Sequence, residues 1–133
     1  MITLHHAIKI AAPRPAVYSA LTDIDQMAAW HAGKVEGDIA EGKVLTLRPK
    51  SDTYFSWRTE TLEANARIVQ TSLLETDSHA GKTLTFTLSD LPDGRTLVAL
   101  SHGEWTPDDA HLPFCNTYWG EVLFQLKTFM ETE

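Results

Sequence analysis

The C-terminal quarter of the chain most constrains its fold. A β-like run, Thr96–His102, breaks at Gly103-Glu104-Trp105, and after a short polar linker one long amphipathic helix runs to the end. A helix of about 20 residues is roughly 30 Å long, enough to cross a small domain. We identify no second apolar face on this helix, so we expect its partner to be a sheet, with a space between the two. Its apolar positions are spaced three and four residues apart, as one buried face requires: Cys115, Tyr118, Trp119, Val122, Leu123, Leu126, Phe129 and Met130.

Composition indicates one globular domain spanning residues 1–133. The chain is 43% hydrophobic and 22% charged, which is ordinary for a soluble protein. Its N-terminus lacks the basic segment and apolar core of a signal peptide. A single cysteine excludes an internal disulfide framework and suits a reducing compartment. We therefore expect a cytoplasmic location.

Charge and residue spacing argue against several classes of ligand. The formal net charge of −7, with basic residues scattered along the chain, disfavours nucleic acid and anionic membrane surfaces. No apolar stretch reaches the 18 or more residues that a membrane span needs. The six histidines have no paired metal-ligand spacing, and no cysteine cluster or nucleotide-binding motif accompanies them. We predict no metal and no cofactor.

The N-terminal third predicts one strand and two short helices. Apolar residues alternate over Ile2–Ile10, as in a half-buried strand. The segment 12–15, with two prolines, ends the strand and opens a helix. Asp23 with Gln26 resembles a capping box for a second helix that reaches Trp30.

From Lys34 to His102 the pattern alternates between strands and turns. A turn at Pro49-Lys50-Ser51-Asp52 and a hairpin turn at Pro92-Asp93-Gly94 imply antiparallel neighbours in a meander. The result is an α+β fold in which a curved antiparallel sheet of about six to seven strands wraps around the C-terminal helix. The predicted strands are Lys43–Arg48, Tyr54–Leu62, Ala66–Leu74, Lys82–Ser89 and Thr96–His102.

Two segments carry a family resemblance that spans nearly the whole chain. The stretch from Ile10 through Val17-Tyr18-Ser19-Ala20-Leu21-Thr22-Asp23 to Trp30 resembles the N-terminal signature of the START-like (SRPBCC) superfamily. Ser101-His102-Gly103-Glu104-Trp105, followed by Cys115-Asn116-Thr117-Tyr118-Trp119 and Leu123 to Lys127, resembles the branch related to the activator of heat-shock-protein ATPase. The resemblance implies the helix-grip fold.

The resemblance also implies a deep cavity between the sheet and the long helix. In this superfamily such a cavity often holds an apolar or amphipathic small molecule, but the fold also serves lipid carriers, receptors, cyclases and co-chaperones. One departure concerns His31, which follows Trp30 where relatives often carry a second aromatic residue. We expect His31 to make one end of the cavity polar.

Six residues are the candidate ligand-binding set. His102 shares strand parity with Val98 and Leu100, so its side chain should point inward as a polar anchor; the alternative is a buried histidine bonded to backbone. The resemblance places three of the four tryptophans near the cavity, although ordinary core packing is the favoured explanation for any single aromatic residue. The predicted set is Trp30, His31, Trp57, His102, Asn116 and Trp119.

Other conspicuous residues have simpler explanations. Gly120 interrupts the long helix, so we expect either close approach of a strand or room for a ligand. His6 is predicted to be a satisfied core histidine, and Cys115 a small buried hydrophobe. Asp108, Asp109 and His111 are expected to cap the long helix in a solvated segment.

Three functions follow from this reasoning. The first is binding of a small apolar or amphipathic molecule, with no catalysis. The second, permitted by the resemblance, is an interaction module that stimulates a chaperone ATPase; a chaperone or a second copy of the chain would then be the partner. The third, ranked below binding, is an enzyme that uses interior histidines with Glu60 or Glu104 for acid–base chemistry.

Overall fold

The computed structural model describes residues 1–31, 33–50, 53–73 and 81–132. Within these ranges the chain forms three helices and seven strands. The helices are α1 (Arg14–Thr22), α2 (Ile24–Trp30) and α3 (Leu112–Glu131). The strands are β1 (Ile2–Ile10), β2 (Lys34–Gly37), β3 (Val44–Lys50), β4 (Thr53–Glu63), β5 (Arg67–Ser72), β6 (Thr83–Asp90) and β7 (Thr96–Trp105).

The strands form one antiparallel sheet in the order β1-β7-β6-β5-β4-β3-β2. Strands β2 to β7 follow one another in a meander. Strand β1 instead pairs with β7, so the first and last strands of the chain are neighbours in the sheet. Phe86 of β6 pairs with Leu100 of β7, and both side chains are buried because they share the inner face. The predicted α+β helix-grip fold is confirmed.

Helix α3 runs alongside β1 in the same direction. A Cβ placed on Gly120 would lie 3.9 Å from Cε1 of His6. Farther along, Lys127 Nζ donates to the Lys9 carbonyl over 2.7 Å, and Glu131 Oε2 accepts from the Ala11 amide over 2.8 Å. The predicted apolar stripe is the inner face of α3, and its buried members are Cys115, Trp119, Val122, Leu123 and Leu126.

The outer face of α3 carries two exposed aromatic side chains besides the predicted apolar stripe. Phe114 is 75% exposed and Phe124 is 63% exposed. Neither residue belongs to the buried face of the helix, because both side chains are largely exposed. The helix therefore presents two large aromatic side chains to solvent.

The end of β7 corrects one expectation. The strand does not break at Gly103 but continues through Trp105, which is fully buried and pairs with Ile2. A Cβ on Gly103 would lie 3.1 Å from both the Ile2 carbonyl oxygen and the Thr3 Cα. Glycine is used here because the β1 backbone passes too close for a side chain.

The remaining differences lie at element boundaries. Asp23 caps α2 as predicted, because its Oδ1 accepts from the amides of Asp25 (2.9 Å) and Gln26 (3.3 Å). Strand β2 was not predicted individually. The predicted β5 end at Leu74, and Ser51 and Asp52 of the predicted turn, lie outside the described residues.

Candidate functional site

The deepest part of the candidate site is a hydrogen bond between α3 and β7. Trp119 Nε1 donates to His102 Nδ1 over 2.9 Å, and the two side chains are 3% and 0% exposed. Because Nδ1 accepts this bond it carries no proton, so the imidazole is neutral and its proton is assigned to Nε2. The bond fixes the helix to the sheet inside the molecule.

Two further tryptophans surround this bond. The Trp57 ring centroid lies 5.6 Å from that of His102 and 5.9 Å from that of Trp119, in edge-on or tilted geometry. The Trp105 centroid lies 5.3 Å from His102. We call Trp57, His102, Trp105 and Trp119 the aromatic cluster.

Trp105 was absent from the predicted site. Strict alternation along β7 would place it on the opposite face from His102, but both are buried while Glu104 between them is exposed. The alternation therefore shifts at the end of the strand. The available sequence signal was Gly103, because a glycine inside a strand often marks such an irregularity.

A second polar pair lies where α2 meets α3. His31 Nε2 and the Tyr118 hydroxyl are 3.1 Å apart, and the Tyr118 ring centroid is 5.1 Å from that of Trp119. Tyr118 was predicted only as part of the apolar stripe. Burial, with smaller contributions from Cys115 and Glu121, raises the pKa of Tyr118, so its hydroxyl stays protonated.

Trp30 has a structural partner of its own. Its Nε1 donates to the Ala20 carbonyl over 2.8 Å, which ties α2 to α1. Its ring contacts that of His31 edge-on, with 5.8 Å between centroids. Trp30 therefore borders the His31–Tyr118 pair.

Asn116 is the predicted site residue that the structure does not bring to the others. Its position on α3 is exposed, whereas the neighbouring Cys115 is buried. The other five predicted residues form one connected set, because Tyr118 links the His31 end to the aromatic cluster.

Two buried nitrogen atoms have no hydrogen-bond partner among the described residues: Trp57 Nε1 and His6 Nε2. His6 thus departs from the expected satisfied core histidine. An indole N–H can only donate, and most buried polar groups in proteins are paired. Trp57 is 2% exposed. Its N–H is therefore a donor directed into the interior that lacks an acceptor from the described protein.

The interior is uncharged in the part of the chain that the structure describes. The two carboxylates considered for acid–base chemistry, Glu60 and Glu104, are both exposed. Arg58 Nη2 bonds Glu60 Oε2 at 2.8 Å, and this bond, with a smaller one from Thr71, lowers the pKa of the Glu60 carboxyl. No described carboxylate, lysine or arginine is buried; the buried polar side chains are His31, Thr59, Gln70, Ser72, Thr96 and His102.

The linker before α3 is partly ordered by its own polar groups. Asp109 Oδ1 accepts from the His111 amide over 2.8 Å. This bond is made one residue before α3 begins, so it organises the chain at the helix start without reaching the aromatic cluster.

Neither a metal centre nor a membrane helix is present in the described ranges. No three histidine, cysteine, aspartate or glutamate side chains there are grouped so as to hold a metal ion. None of the described helices has the length and apolarity to cross a bilayer.

Comparison with known structures gives several close folds. A solution structure of an Aha1 dimer from Colwellia psychrerythraea is 24% identical, covers 98% of this chain and 97% of its own, and has a TM-score of 0.90. Protein CV1439 from Chromobacterium violaceum is 27% identical, with coverage of 98% and 99% and a TM-score of 0.76. CalU16 from Micromonospora echinospora is 22% identical, with coverage of 97% and 76% and a TM-score of 0.79.

The sequence comparisons give one match. A search among curated proteins finds no similar sequence. The family model described as "Activator of Hsp90 ATPase homolog 1-like protein" matches residues 11–131, which is most of the chain. The chain therefore belongs to the family of Activator of Hsp90 ATPase homolog 1-like proteins, as the resemblance in its two end segments predicts.

Proposed function

We propose that this chain binds a small, uncharged apolar or amphipathic molecule in the interior between the sheet and α3. The observation that carries the proposal is the Trp57 N–H, a buried donor with no acceptor among the described residues. A ligand that places a carbonyl, ether or hydroxyl oxygen beside Trp57 would complete this hydrogen bond. Aromatic neighbours at 5.6 and 5.9 Å would contact the apolar body of the same molecule.

The charges of the interior favour a neutral ligand. A buried carboxylate or phosphate would need a cationic partner, because transferring an unpaired charge from water is costly. The described interior offers neutral histidine, hydroxyl and amide groups instead. Affinity would come mainly from apolar burial, at roughly 25 cal/mol per Å².

The predicted site residues divide into roles under this proposal. Trp57 donates to the ligand, and the His102–Trp119 bond holds the wall against which it lies. The His31–Tyr118 bond joins the end of α2 to α3, so breaking it would open the route inward. Trp30 supports His31 through its own bond to α1. Asn116, being exposed, would meet a ligand only at the rim.

The test compares two tryptophan variants. Trp57→Phe removes the unpartnered N–H, whereas the control Trp30→Phe removes an N–H that is already bonded within the protein. Native mass spectrometry of detergent-free protein should show a discrete mass surplus that is lost on denaturation. We expect Trp57→Phe to reduce ligand occupancy, with an affinity loss up to about tenfold. Trp30→Phe should lower the free energy of unfolding by more than Trp57→Phe does, because it removes a hydrogen bond within the protein.

Two results would overturn the proposal. One is a wild-type mass without any surplus, together with no binding in a screen of neutral apolar compounds. The other is a ligand whose affinity is unchanged by Trp57→Phe.

We place this activity in the cytoplasm and assign it to residues 1–133 acting as one domain.

Stimulation of a chaperone ATPase is the second candidate, because the matching family is described by that activity. The measurement is ATP turnover by a heat-shock-protein ATPase with increasing amounts of the full chain. Concentration-dependent acceleration would establish this activity, and unchanged turnover without complex formation would remove it.

A further inference from the structure

A solvent-facing groove of about 370 Å³ lies where β1, the start of β7 and α3 meet. Lys9 of β1 pairs with Leu97 of β7, and the next pair along, Ile8 with Val98, faces the core. Since side chains alternate along a strand, Lys9 and Leu97 lie on the outer face of the sheet. The groove, which we call the β1 groove, therefore opens away from the aromatic cluster. Its lining residues are Ala7, Ile8, Lys9, Arg95, Leu97 and Lys127.

The β1 groove combines positive charge with apolar surface. Three of its six lining residues are cationic and none is acidic, although they come from distant parts of the sequence. The whole chain has 11 lysine and arginine residues against 18 aspartate and glutamate residues. A lining with cations alone therefore differs from the surface as a whole. The other three lining residues supply apolar contact.

Two of the three cations are held in place by bonds within the protein. Lys127 Nζ donates to the Lys9 carbonyl and to Glu131 Oε2, each over 2.7 Å. The Arg95 guanidinium contacts Asp93 Oδ2 through Nε at 2.8 Å and Nη2 at 2.7 Å. An ammonium group has three N–H donors and a guanidinium group has five. Both side chains are therefore oriented in advance and keep donors for a ligand.

One positive charge at the β1 groove has no counter-charge. The hydrogen bond from Lys127 is the main cause that lowers the pKa of the Glu131 carboxyl. The side-chain bond from Arg95 is the main cause that lowers the pKa of Asp93. Both carboxylates are ionised at neutral pH and offset two of the three cations. The Lys9 ammonium makes no ion pair or hydrogen bond with the residues that the structure describes.

We propose that the β1 groove binds a small organic monocarboxylate, at a site separate from the interior ligand. The carboxylate accepts hydrogen bonds from Lys9 Nζ and from the remaining donors of Lys127 and Arg95, because charge-assisted bonds of this kind are the strong ones. The apolar part of the acid covers Ile8 and Leu97. The volume lies near the lower end of the range of about 300–1,000 Å³ for ligand pockets, which indicates a small molecule.

The charge balance selects a monoanion over the other classes of ligand. A neutral molecule gains nothing from the uncompensated Lys9 charge. A polyanion brings excess negative charge close to Asp93 and Glu131. Because the groove is open to solvent, its ion pairs are screened, so binding should be weak and should weaken further as salt is raised.

The first test is a titration of the full, isotope-labelled chain followed by nuclear magnetic resonance of its amide signals, with three probes. Hexanoate has both a carboxylate and an apolar chain, acetate lacks the chain, and hexanamide lacks the charge. Hexanoate should shift the amide signals of Ala7 and Leu97 in a saturable way. Acetate and hexanamide should each bind at least about fivefold more weakly, because each lacks one of the two contributions.

The second test compares two lysine variants with the same change in net charge. Lys9→Met removes the uncompensated ammonium and should weaken hexanoate binding about two- to fivefold. Lys43→Met removes another exposed lysine, which is absent from the groove, and should bind hexanoate like wild type. Trp57→Phe should also leave hexanoate binding unchanged, since the β1 groove is outside the interior. This proposal can therefore fail or succeed independently of the interior site.

Four outcomes would overturn the proposal. The first is the absence of saturable shifts with hexanoate, and the second is hexanamide binding as tightly as hexanoate. The third is an equal loss of affinity in Lys9→Met and Lys43→Met. The fourth is hexanoate that shifts the indole signals of Trp57 and Trp119 but not the amide signals of Ala7 and Leu97, because the acid would then lie in the interior.

Discussion

The inner and outer faces of α3 use aromatic residues in opposite ways. On the inner face, Trp119 is 3% exposed, contacts three other rings and donates a hydrogen bond to His102. On the outer face, Phe124 is 63% exposed and Phe114 is 75% exposed. The two faces belong to one helix of 20 residues, so they share the same backbone and differ in their side chains and in what covers them.

This difference separates aromatic residues that the fold needs for packing from aromatic residues that it leaves exposed. The inner aromatic residues stabilise the protein by packing, so their presence alone is weak evidence for a ligand. The evidence for a ligand beside the inner face is the N–H of Trp57, a β4 residue next to Trp119. This N–H has no hydrogen-bond acceptor among the described residues. At the outer face, Phe124 is 63% exposed, so it contributes little to the packing of the monomer.

The largest expected effect tests this contrast directly. Trp119→Ala should lower the free energy of unfolding by about 3–5 kcal/mol, since it removes a buried aromatic side chain and leaves a cavity. Phe124→Ala should change it by no more than about 0.5 kcal/mol, because the ring is exposed. Urea unfolding followed by circular dichroism, at a concentration where the chain is monomeric, measures both. Comparable losses in the two variants would mean that the inner and outer aromatic residues contribute equally to the free energy of unfolding.

The next effect concerns the hydrogen bond from Trp119 to His102 at the centre of the aromatic cluster. His102→Leu leaves the buried Trp119 N–H without its acceptor and should cost about 1–3 kcal/mol. Because this 2.9 Å bond joins α3 to β7, we expect the variant to lose stability clearly. Adding Trp119→Phe removes the orphaned donor, so the double variant should be less destabilised than the sum of the two single variants. Simple additivity would show that the bond is not formed in solution.

Elements with a strong local pattern were predictable from the sequence. The inner face of α3 follows the helical period over its whole length, and β6 alternates threonine with leucine and phenylalanine. Strand β2 has no such pattern: Lys34–Gly37 is mostly exposed, and its strand state comes from pairing with β3. Its position depends on partner residues that lie 8 to 14 positions later in the chain, which a local pattern does not encode.

The candidate site was less predictable, because its geometry arises where elements meet. The inward direction of His102 follows from strand parity, but its Trp119 partner depends on how far α3 lies along β1. Trp105 joins the cluster through a shift in alternation after Gly103, where the backbone of Ile2 and Thr3 lies close. The His31–Tyr118 pair depends on the angle between α2 and α3, and nothing local in the sequence sets that angle.

A smaller effect is expected at the His31 end of the site. Tyr118→Phe removes the bond to His31 and should cost about 0.5–1.5 kcal/mol at neutral pH. The folded-state pKa of Tyr118 is raised above 10.0, so its contribution to stability is present below that pH and is lost as pH rises towards the folded value. The wild type should therefore lose stability above pH 10.0 more steeply than the variant. Tyr54→Phe, which removes a hydroxyl from an exposed tyrosine, is the control and should lower stability at neutral pH less than Tyr118→Phe does.

The smallest expected effect is a gain, and it lies at the border between the two faces. Gly120→Ala should stabilise the monomer by about 0.5–1 kcal/mol, because the added methyl meets His6 at ordinary contact distance and helix propensity improves. The matched control is Gly103→Ala, where a Cβ would lie 3.1 Å from the β1 backbone; there alanine should destabilise. Urea denaturation of both variants in dilute solution gives the sign of each change in the free energy of unfolding. A loss at Gly120 would mean that the packing of α3 against His6 needs this glycine.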